Sequence, residues 1–148
     1  MSKTETLVHT WEGLPLLTNP NHPKLTQKQL MMPADADKMQ VSLHAVLFER
    51  LGEGGAVLPH FHDCCEVICI TKGEAEAYYQ GAWHHHKAGD TLMVPAQEIH
   101  SVYNQRKEES EQISFFLPAD AKRENRMFET KILKDIPLPK QAKGETTA

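Results

Sequence analysis

The sequence lacks several features that would direct its function elsewhere. Across 148 residues the apolar runs stop at about four, as in Ala45–Phe48. A membrane-spanning helix needs about 20 apolar residues, so none is expected. Basic charge is scarce. Sixteen Lys and Arg stand against twenty Asp and Glu, a net charge of −4, whereas a nucleic-acid-binding domain is usually basic. There are only three cysteines, and Cys64 and Cys65 are adjacent. That argues against a disulfide framework and for a reducing, cytoplasmic setting. Met1–Thr6 carries the acid Glu5 where a signal peptide would be basic and then apolar, which points away from export.

Histidine is plentiful. Nine are present, beside two tryptophans and five phenylalanines. Histidine is a common metal ligand, so the positions of the nine matter more than their number. The length fits one domain, and three zones are visible. Residues 1–38 are rich in proline and short polar residues, with Asn19-Pro20-Asn21-His22-Pro23 as a loop. They read as an arm that packs on the main domain or on a second subunit, with Leu25–Leu30 as a short strand or a helical turn. Residues 39–118 alternate apolar and polar positions from Val41 to Leu47. Short runs at Val67–Thr71, Ala75–Tyr79, Ala82–His86, Thr91–Val94, Ser101–Asn104 and Gln112–Leu117 follow. Short strands separated by frequent turn signals indicate an all-β sandwich or barrel. Residues 119–148 are mixed: Ala119–Asn125 suits a short helix, Met127–Leu133 can dock on the barrel, and Gln141–Ala148 reads as a loose tail.

The chemistry concentrates between Gly54 and Asn104. The order is Gly54-x5-His60-x-His62-x3-Glu66-x6-Gly73, then, fifteen residues on, Gly89-x5-Pro95-x4-His100-x3-Asn104. Side chains two apart on a strand share a face, so His60 and His62 point the same way. Glu66 has the same parity. His100 must arrive through the fold. Three imidazoles and a carboxylate make a mixed N/O site for a divalent metal.

These two segments resemble the paired motifs of the cupin family, and the chain is similar to its small, single-domain, metal-binding members. One position departs, since Gln97 stands where the family has a glycine. A glycine there permits a positive φ, so the turn before His100 is expected to differ. The resemblance implies a double-stranded β-helix, the cupin jelly-roll barrel. It carries His60, His62, Glu66 and His100 over as metal ligands, one divalent ion per chain (Fe, Mn, Ni, Zn or Cu), and it implies a homodimer.

Other residues have two readings. Cys64 shares the parity of Glu66 and can reach the metal as a thiolate or pack as a small residue; packing is preferred. His84, His85 and His86 cannot all reach one ion, because consecutive strand residues alternate faces. Either His44, Phe48 and Arg50 face inward, with Arg50 free to bind an anion, or Leu43, Leu47 and Leu51 do. The sequence leaves that choice open.

A dication with three neutral imidazoles and one carboxylate carries a net +1 charge. Such a centre suits a small oxyanion held by two oxygens. The expected function is a metalloenzyme acting on a small organic ligand or substrate, with a dioxygenase preferred. An isomerase or lyase at the same site is the redox-neutral alternative, and Glu66 is the candidate catalytic base in either case. A second class is a non-catalytic module that binds or senses a small ligand. A third is a structural metal site, which would use four ligands and leave no position open. No nucleic-acid or membrane partner is expected.

Overall fold

The computed structural model describes residues 5–119 and 129–139. They form β1 (Leu17–Thr18), β2 (Leu25–Met31), α1 (Pro33–Met39), β3 (Ala45–Leu51), β4 (Gly55–His62) and β5 (Cys64–Lys72). Then come β6 (Glu74–Tyr79), β7 (Ala82–Lys87), β8 (Thr91–Val94), β9 (His100–Asn104), β10 (Ser110–Pro118) and β11 (Thr130–Ile132). Two antiparallel sheets result, ordered β1-β2-β3-β10-β5-β8 and β11-β4-β9-β6-β7. This is the all-β, two-sheet architecture of the cupin double-stranded β-helix.

Strand alternation fills the interior. On β5, Cys64, Glu66, Ile68 and Ile70 are buried while Cys65, Val67 and Cys69 are half-buried on the other face. On β10 the buried row is Ser110, Gln112, Ser114 and Phe116. Leu25, Leu51, Ile68, Leu92 and Val94 of one sheet meet Ala75, Ala77 and Val102 of the other. Ala45, Leu47, Cys64 and Phe116 form a second apolar cluster. Burying one such large side chain contributes about 1.5–3 kcal/mol. The turn from β5 to β6 requires its glycine: Gly73 has φ +75°, and a Cβ there would sit 2.7 Å from the Glu109 carbonyl oxygen.

β3 settles the facing question in favour of Leu47 and Leu51, whereas Leu43 precedes the strand and packs on the opposite face with Val46. Leu47 and Leu51 belong to the interior clusters. The opposite face is covered too. Val46 packs with Ala36, Leu43 and Met31, and Phe48 meets the Trp11 ring edge-on at 4.8 Å between centroids. Arg50 lies on that outer face, where its Nε donates to Glu111 Oε2 over 2.8 Å. It is therefore paired outside the barrel.

The strand expected from Val41 begins only at Ala45. Helix α1 occupies the preceding segment and ends through Gln40, whose φ of 59° is left-handed. Pro33 starts this helix and Asp35 accepts the Met32 N–H at 2.9 Å, a local arrangement that favours a helix start. Leu25–Leu30 lies within β2, which pairs with β3, so that segment is strand and not a helical turn. From Met127–Leu133, Thr130–Ile132 pairs with β4 alongside His60 and His62. The helix expected at Ala119–Asn125 lies outside the described residues beyond Ala119.

Candidate metal centre

His60 and His62 stand at the end of β4. The chain then bends at Asp63 and enters β5, which belongs to the other sheet. Glu66 therefore approaches the two histidines from across the barrel. His100 begins β9 and pairs directly with His60. One extra residue in β4 between Val57 and His60 makes this alignment possible. It lets Val57, packed on the core, and His60 share the inward face despite their opposite parity. Pro59 sits in this bulge and has no N–H to leave unpaired.

The four side chains are buried, and one donor atom from each lies within 4.8 Å of the others. Ring orientation is fixed from behind. Nδ1 of His60 donates to the Leu58 carbonyl at 2.7 Å. Nδ1 of His62 donates to the Cys64 carbonyl at 2.9 Å, and Nδ1 of His100 to the Glu98 carbonyl at 2.8 Å. A carbonyl only accepts, so each Nδ1 carries the proton and each Nε2 is directed at the centre. Nε2 of His62 and Nε2 of His100 each lie 2.9 Å from Glu66 Oε1.

Electrostatics follow this packing. Burial opposes the charge of Glu66, but its carboxylate accepts from Nε2–H of His100 and His62 when those rings carry a second proton. These hydrogen bonds outweigh burial and hold the carboxyl well below the usual range. Burial lowers His60 to about 3, with the charge of His100 adding to the effect. Burial also works against protonated His100, yet contact with Glu66 raises it above the ordinary value. Three inward nitrogens with fixed tautomers and one buried carboxylate fit a divalent ion. Cys64 is not part of this set. Its Sγ lies 3.5 Å from His62 Nδ1, on the edge of the ring turned away from Glu66. Burial, then the charge of Glu66, pushes its thiol up. It packs with Ala45, Leu47 and Phe116, as the preferred reading expected.

The family model of the cupin domain matches residues 47–116. This stretch is a cupin domain. No curated protein sequence matches the chain. Solved structures similar to it include a predicted oxalate decarboxylase from Thermotoga maritima, 20% identical, with a TM-score of 0.67, covering 76% of this chain and 99% of that one. The polyketide cyclase RemF from Streptomyces resistomycificus is 16% identical, with a TM-score of 0.66 and 88% of each chain covered. An RmlC-like cupin from Shewanella frigidimarina is 17% identical, with a TM-score of 0.64, covering 79% of this chain and 95% of that one. At these identities the likeness establishes the fold.

The cupin motif positions now have physical roles. Asn104 is fully buried and donates through Nδ2 to the carbonyls of Leu51 and Glu108 at 3.0 and 2.9 Å, so it staples loops and does not face the centre. Gln97 was expected to alter the turn before His100. It instead adopts φ 71° itself, and its N–H donates to the His62 carbonyl at 2.9 Å. The turn keeps its left-handed residue without the glycine.

Two residues near the cupin centre escaped the sequence reading. His22, in the N-terminal loop, accepts the Leu58 N–H at Nδ1 over 3.0 Å. Leu58 is the residue whose carbonyl orients His60, so His22 pins the bulge from outside. No spacing rule links His22 to the motif. Glu49 is buried at 5% exposure on the inward row of β3; fixing the parity of β3 would have found it. Among the conspicuous run, His86 lines a cavity of about 280 Å³ with Tyr79, Leu92 and Glu98, and none of the four centre residues lines that cavity.

Proposed function

We propose that the protein is a divalent-metal-dependent enzyme acting on a small oxyanionic organic molecule, with His60, His62, Glu66 and His100 as the ligands. The observation that carries this reading is the set of three backbone carbonyls, of Leu58, Cys64 and Glu98, that turn three Nε2 atoms toward one carboxylate. A bound ion supplies Lewis acidity and open positions for oxygen donors, and a redox-active ion also supplies dioxygen chemistry. The protein's own contribution is orientation and exclusion of water, since all four side chains are at most 4% exposed.

A dioxygenase uses this arrangement with iron. A redox-neutral isomerase or lyase is the second reading, and Glu49 favours it. Glu66 is held by two histidines and is poorly placed to leave the centre as a base, whereas Glu49 is a further carboxyl inside the barrel. Elemental analysis should find about one divalent ion per chain. Absence of metal, with no uptake on titration, would sink the metal reading. Oxygen uptake by the iron-loaded protein with a small acid supports the dioxygenase. Deuterium exchange from solvent into that acid without oxygen uptake supports the isomerase or lyase. Tight binding with neither signal identifies a ligand-binding module.

A further inference from the structure

Glu49 has a built environment of its own. Ser114 Oγ and Gln112 Nε2 donate to its Oε1 over 3.2 and 3.3 Å. Both donors are buried, at 0% and 3% exposure. Among the described residues no Lys or Arg pairs with Glu49, its one favourable charge being that of protonated His100, and Oε2 takes no hydrogen bond. A buried carboxyl in such a place is costly unless its remaining hydrogen-bonding capacity is used. Leucines occupy the neighbouring inward positions 47 and 51, so an apolar residue at 49 would suit the barrel better if packing were its only role.

The subsite adjoins the metal centre along one wall. Gln112, Ser114 and Phe116 follow one another on the inward face of β10. Phe116 pairs with Glu66 across to β5, and its ring lies 5.7 Å from that of His62 between centroids. Ser114 is two residues from Phe116, hence about 7 Å further along the wall. That is the span of a molecule a few carbons long. The charge of Glu66 is also felt at Glu49: burial first, and that charge second, push the Glu49 carboxyl up to about 7.

We propose that Glu49, held by Gln112 and Ser114, binds a hydroxyl group of a small hydroxy acid whose carboxylate end lies at the His60, His62, Glu66 and His100 centre. The inference rests on the metal-dependent reading given above. A hydroxyl fits because it both donates and accepts, and so pairs with Glu49 whether the carboxyl is neutral or ionised. A second carboxylate pairs only with the neutral acid, and an ammonium only with the carboxylate.

The test uses the zinc-loaded protein and two probes, 4-hydroxybutyrate and butyrate, which differ only in the terminal hydroxyl. Calorimetry should show the hydroxy acid bound about tenfold more tightly, the effect of one hydrogen bond to a charged or acidic group. Glu49→Leu should erase the preference while zinc stoichiometry and butyrate affinity stay unchanged. Glu49→Gln, which keeps a donor and an acceptor, should retain part of it. Should the leucine variant fail to fold, Ser114→Ala should still reduce the preference by loosening Glu49. Equal affinity of the wild-type protein for the two probes overturns the subsite, as does a preference that survives Glu49→Leu. Failure to take up zinc overturns both readings, and stoichiometry measured beforehand tells the two failures apart.

Discussion

The protein holds two trios of histidines that contrast in every physical respect. His60, His62 and His100 are buried, and each donates its Nδ1–H to a backbone carbonyl. His84, His85 and His86 run along β7, the edge strand of its sheet, and meet mostly side chains. His84 stacks on Tyr79 at 4.1 Å between centroids. His86 lies between the Tyr79 hydroxyl and Asp90, at 2.9 and 3.0 Å. His85 points the other way, to Glu74 and Glu76. A backbone carbonyl cannot swing away as a side-chain partner can, so only the first trio has rings locked toward a common point. Adjacency in sequence separates histidines on a strand, while the fold brings distant ones together.

The contrast can be broken most directly at the two trios themselves. His62→Ala should abolish metal binding, and His85→Ala should leave stoichiometry and affinity at wild-type values. Equal losses on metal titration would erase the distinction. The next effect tests whether tethering from behind matters. His22→Leu removes the acceptor for Leu58 N–H and should weaken metal binding by roughly 10–100-fold, the usual cost of losing a group that supports a ligand. His22→Asn should recover most of that, because its Oδ1 can take the place of Nδ1. An affinity unchanged in His22→Leu would show that the bulge holds its shape unaided.

A third effect concerns metal-free protein in acid. In the fold, burial keeps His60 neutral until about pH 3, whereas its ordinary value is 6.5. As pH falls between those limits the unfolded chain binds a proton that the folded chain refuses, so stability falls. His100, raised by Glu66, acts in a separate window: its stabilisation is complete below 6.5 and is lost only as pH rises above that value, so it leaves the acid limb unchanged. His60→Gln should therefore flatten the acid limb of stability against pH, measured by denaturant titration; an unaltered limb would refute the assignment. The smallest effect is at the turn before His100. Gln97→Gly should stabilise by under about 1 kcal/mol, since relief of the left-handed strain is partly offset by the freer unfolded chain. A lower melting temperature would show that the Gln97 side chain contributes contacts.

The motif spacing made the barrel and the four convergent residues legible. Glycines and turns lie at fixed distances from His60, His62, Glu66 and His100, and those distances reflect strand lengths and one corner. Arg50 was not legible, because β3 is covered on both faces and periodicity cannot tell two buried faces apart. Glu49 was hidden by the same ambiguity. His22 was hidden for another reason: it touches the site through a backbone N–H, which any residue at position 58 except proline would offer. Helix α1 is seven residues long, too short for an apolar period to emerge.

The bend at Asp63 has a consequence for the whole barrel. Because the chain changes sheets between His62 and Glu66, an ion held there would rivet one sheet to the other. Occupancy would then act as a removable cross-link, adding about 4 kcal/mol to unfolding when free metal exceeds its dissociation constant a thousandfold. Any ligand that alters the grip of Glu66 would be felt as a change in how firmly the two halves of the barrel are clasped.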